Sequence, residues 1–168
     1  MTCGLSERFE RLYGVEMSVG AVVHDTVGDE VGAWVDVERR VAGIVGQLNV
    51  QHALLIDAVA DALRDGSWQG HRVHTPAQWL TVHAGVSGGV ARKLVAIAER
   101  VAEFPLTIGV FRAGGLSVEQ VFEVAARAPG WADRQMCEFA QVATVAQLRR
   151  MIRDEHFDHD PEQPPAPA

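Results

Sequence analysis

The chain has 168 residues, 48% of them apolar, and a formal net charge of −7. That is enough material for one well-packed domain, while no apolar run approaches the roughly 20 residues needed to cross a bilayer. The acidic total argues against strong non-specific binding to nucleic acid, and Cys3 and Cys137, far apart and without a CxxC partner, read as reduced thiols rather than a disulfide or a metal site. The opening residues MTCGLSERFERLYG lack the basic-then-apolar order of a secretory leader, so a cytoplasmic protein is expected. Helix formers recur and period-two runs are scarce, which predicts an all-α fold: a multi-helix bundle with one long spine helix and stacked αα-hairpins.

Residues 1–30 carry no clean periodicity. SERFERLYG reads as a short helix and SVGAVVHDTVGDEVG as a loop or brief strand, and the segment is expected to be poorly ordered. From about Val31 a helical domain begins and runs to residue 157. Its first helix carries Trp34, Val37, Val41, Ile44, Leu48, Leu55, Ala58 and Ala62 three and four apart, interrupted at Gln51, and stops near Asp65-Gly66. About thirty residues at 1.5 Å each make a rod of about 45 Å, long enough to serve as a spine. The stripe reads first as core, with a partly exposed dimer seam as the alternative. Gly43 and Gly46 either weaken the helix by ~1 kcal/mol each relative to alanine or admit another helix closely.

SWQGHRVHT is a loop, and its His71 and His74 have no Cys, Asp or Glu at ligand spacing, so no metal is expected there. The most legible stretch follows. Thr75-Pro76 predicts an N-cap with proline at the first helical position, and Gly85 a left-handed C-terminal cap. Ser87 then caps a second helix whose apolar stripe is Val90, Leu94, Ile97, Ala98 and Val101, ending at Phe104-Pro105. Two helices joined by a short Gly-containing turn form a helix-turn-helix-like pair. A short helix after Pro105 carries Leu106, Val110 and Phe111 and stops at Gly114-Gly115. Ser117 with Gln120, and Thr144 with Gln147, are capping boxes opening two further helices. Between them a helix spans about Asp133 to Val142, with Met136, Phe139 and Ala140 inward. AGVS at 84–87 and GGLS at 114–117 each join two helices, as stacked hairpins require. From residue 158 the acidic, proline-rich DHDPEQPPAPA reads as a disordered tail in which His159, with His156 just before it, supplies no rigid metal site.

Charge is unevenly placed. Residues 1–70 carry −6, 71–113 carry +3, 114–153 carry +1 and the tail from 154 carries −5. The helix-turn-helix-like pair therefore lies in the one clearly basic region. Docked on DNA, Ser87, Gly88 and Gly89 would offer backbone N–H groups to a phosphate, Arg92 and Lys93 would reach the groove, and Arg100 the backbone. The alternative is that the same residues form an ordinary solvated face. No catalytic constellation is present, and neither a metal nor a cofactor is expected.

Trp79-Leu80, Gly85-Val86-Ser87, AR-LV-IA over 91–98, a Phe-Pro at 104–105, RAGGLSVEQ at 112–120 and the closing VAQLRR together resemble the N-terminal helical domain of unknown function in actinobacterial "13E12 repeat" proteins. The likeness covers roughly residues 34–155. In that family the domain usually precedes an HNH endonuclease module, so the resemblance implies a DNA-related setting. The histidine-centred metal array of that module has no counterpart in this sequence, so nuclease activity is not expected of the chain and no catalytic residues carry over. The expected function is a non-catalytic, DNA-associated helical module. The alternatives are a protein-interaction or oligomerisation domain, pairing with itself or with a nuclease-bearing relative, and an inactive remnant.

Overall fold

A computed structural model describes residues 27–70, 72–155 and 157, with side chains described from residue 34 onward. Most of the N-terminal segment, the tail from 158, and Cys3, His71, His156 and His159 lie outside the described residues. The chain divides into two compact units, Met1–Glu38 and Arg39–Ala168. The described part of the first is only the opening turns of the long helix.

Regular structure among the described residues is helical: α1 Val27–Asp65, α2 Pro76–Ala84, α3 Gly88–Ala98, α4 Pro105–Arg112, α5 Val118–Arg127, a 3-10 turn Gly130–Ala132, α6 Asp133–Ala140 and α7 Val145–Asp154. The caps form where the sequence places them. Thr75 accepts from Gln78 N, and Gly85 takes the left-handed conformation at φ 65°. Ser117 and Thr144 make reciprocal capping boxes with Gln120 and Gln147. These bonds satisfy backbone donors that every helix start leaves open, so the short helices α2, α5 and α7 hold their N-terminal ends. α1 differs from expectation by starting at Val27. α3 differs by ending at Ala98, followed by tight turns in which Arg100 N donates to Ile97 O and Glu103 N to Arg100 O. The chain has to turn there to drive Phe104, 1% exposed, into the core immediately before Pro105.

Each helix from α3 onward packs on the one two places along. α3 lies against α5, α5 against α7, and α4 against α6, while α2 pairs with α3. The result is two rows, α3–α5–α7 and α4–α6, around Leu94, Ile97, Phe104, Ile108, Phe111, Leu116, Val121, Val124, Met136 and Leu148. Each such side chain removed from water contributes about 1.5–3 kcal/mol before the entropy of ordering is set against it. Polar ties follow the same register. Lys93 to Glu119, Thr107 to Asp133 and Arg149 to Glu123 each join side chains 26 residues apart.

α1 joins the core through Ala53, Ile56 and Val59, with Ala62 buried beyond them. Asn49, also buried, donates from Nδ2 to Gly114 O at 3.1 Å. Gly114 sits at φ 84°, and a Cβ added there would lie 2.7 Å from Gly46 O. Backbone thus meets backbone at this point, and Arg112 clamps it from the side through a two-pronged pair with Asp57 at 2.7 and 2.9 Å. The face that packs is not the stripe expected to be core. Val41, Ile44 and Leu48 are 54%, 63% and 53% exposed, and Trp34 and Val37 are exposed too. Only the later part of that stripe, at Leu55 and Ala62, reaches the bundle. Similar corrections hold for α4, where Thr107 and Ile108 turn inward while Leu106 faces out, and for α3, where Ala91 and Val95 are buried and Val90 is exposed.

Candidate functional site

The helix-turn-helix-like pair forms as spaced: α2, the turn Gly85–Ser87, then α3 with Ser87 Oγ accepting from Val90 N. Ser87, Gly89 and Arg92 are exposed and Gly88 is half-buried. Arg92 has no hydrogen bond or ion pair among the described residues. Its guanidinium folds back toward the start of its own helix, Nη1 lying 3.5 Å from where a Cβ on Gly88 would be.

The other two cations expected on this face are already engaged. Lys93 Nζ donates to both oxygens of Glu119 at 2.8 and 2.7 Å and lies 5.4 Å from the centre of the Phe122 ring. Arg100 stacks 4.8 Å from the Phe104 ring centre, pairs with Glu103, and donates to the carbonyls of Ala125 and Ala128. Those carbonyls belong to the C-terminal end of α5, where acceptors lack helical donors and a guanidinium is stabilising. The Arg100 contact holds the Glu103 carboxyl below its ordinary range, chiefly by hydrogen bonding. Arg100 thus ties the turn after α3 to the end of α5, and Lys93 ties α3 itself to the start of α5.

Two arrangements lay beyond sequence reasoning. Phe104 gives α4 no side-chain cap, and Asp133 supplies one from the far side: its carboxylate accepts from Leu106 N at 2.6 Å, Thr107 N at 3.0 Å and Thr107 Oγ1 at 2.6 Å. Glu123 is 1% exposed and receives Arg149 Nε at 3.0 Å, with Arg127 at 3.4 Å. Asp133 with Thr107, and Arg149 with Glu123, leave no local mark because the partners are 26 residues apart; only Arg127, four residues on from Glu123, is a local partner. Close by, burial first and the Asp133 charge second push the Cys137 thiol up, which suits an inert buried sulfur rather than a nucleophile. Among the described residues no three His, Cys, Asp or Glu side chains converge to hold a metal, and no helix is long and apolar enough to cross a membrane.

The other surface that stands out is the uncovered face of α1. Val41, Ile44, Val45 and Leu48 project outward within one unit, and no charged residue occurs between Arg40 and Asp57. Comparison of the chain with protein-family models, with curated proteins and with solved structures gives no match.

Proposed function

We propose that this chain is a non-catalytic helical association module, of the kind that accompanies HNH nucleases, working through the outward face of α1. One observation carries the reading: apolar side chains at three- and four-residue spacing remain 43–63% exposed along Val41, Ile44, Val45 and Leu48. Apolar area left in water forgoes about 25 cal/mol per Å² that a covering partner would recover, and a stripe of this kind is how one helix seats on another. The partner is a second copy or a nuclease-bearing relative.

Sedimentation velocity over a range of concentrations tests this, alongside binding of a solvatochromic apolar dye. Ile44→Glu with Leu48→Glu is expected to remove self-association, or, where the protein is monomeric, to cut dye binding several-fold. Val142→Glu, at an exposed apolar position in the turn after α6, changes neither. A monomer whose dye binding is untouched by the double substitution would sink the reading.

A second reading, DNA contact through the helix-turn-helix-like pair, is favoured by Arg92, exposed beside the open backbone of Ser87, Gly88 and Gly89. With Lys93 and Arg100 committed elsewhere, the electrostatic term is small. Arg92→Ala is expected to reduce the slope of log K against log[salt] by about one in a mobility-shift titration. Absence of any shift at low salt removes this reading and leaves the first intact.

A further inference from the structure

We draw no further inference here: the strongest candidate, the uncovered apolar face of α1 at Val41, Ile44, Val45 and Leu48, belongs to the surface already described, and nothing in the structure shows what covers it.

Discussion

Replacing Asp133 by alanine isolates the cap that α4 borrows from another helix. Three donors lose their acceptor at once: Leu106 N, Thr107 N and Thr107 Oγ1. Thr107 is fully buried, so water cannot replace the carboxylate on its two groups. Leaving a buried donor unsatisfied costs about 1–3 kcal/mol, and loss of a helix cap typically costs ~1 kcal/mol. With two such donors on Thr107, and the cap term contained in theirs rather than added, Asp133→Ala should cost about 2–6 kcal/mol, toward the high end for a point substitution. Asp133→Asn keeps one acceptor oxygen and is expected to cost roughly half as much. Urea unfolding followed by circular dichroism reads both. Thr107→Val, made alone and with Asp133→Ala, closes a double-mutant cycle whose coupling should be about 1–2 kcal/mol. An Asp133→Ala protein within 1 kcal/mol of the parent, or a cycle without coupling, would refute the cross-helix cap as a source of stability.

Three further predictions rest on other contacts. Gly114→Ala meets both a left-handed φ of 84° and the Gly46 carbonyl at 2.7 Å, so it should cost about 2–4 kcal/mol; Gly43→Ala, with nothing within 4 Å, should stabilise α1 by up to ~1 kcal/mol. Thermal melts of the two variants should therefore move in opposite directions. Arg149→Ala leaves the buried carboxylate of Glu123 with only the longer contact to Arg127, whereas Glu123→Gln leaves a neutral side chain opposite a half-exposed arginine, so the first should lower the melting midpoint more than the second. The lowered carboxyls of Glu103 and Asp65 stabilise the fold above the ordinary values of 4.5 and 3.8, and that contribution is lost as pH falls through the depressed folded values. Melting midpoints measured from pH 6 down to pH 3 should fall, and Glu103→Gln should flatten the curve.

What the sequence disclosed and what it hid divide by range of interaction. Thr75, Gly85, Ser117 with Gln120, and Thr144 with Gln147 act within four residues, and their roles follow from local backbone geometry. The face of α1 does not. Val41, Ile44 and Leu48 continue the heptad into Leu55, while Ala53, Ile56 and Val59 form an overlapping stripe rotated partway round the same helix. Both are apolar, and only the position of the bundle decides that the second is covered. The internal partners of the basic face are hidden for the same reason. Lys93 and Arg100 look solvated on a helical wheel, but Glu119 and the Ala125 and Ala128 carbonyls arrive from 25 to 28 residues later. Asp133 reads as an ordinary first-turn acid, and its use as a cap for α4 depends on the α4–α6 contact.

The constant interval of the polar ties has a bearing on how the chain assembles. A lysine on α3 waits only until Glu119 has been synthesised, Thr107 only until Asp133, and Glu123 only until Arg149. No bond of this set spans the molecule from end to end, so structure can propagate from α3 toward the C-terminus in short steps, each closing a modest loop at small entropic cost. Shortening the protein from its C-terminal side would then strip these fastenings singly, the Arg149 tie first, much as the outermost unit is lost from a linear array.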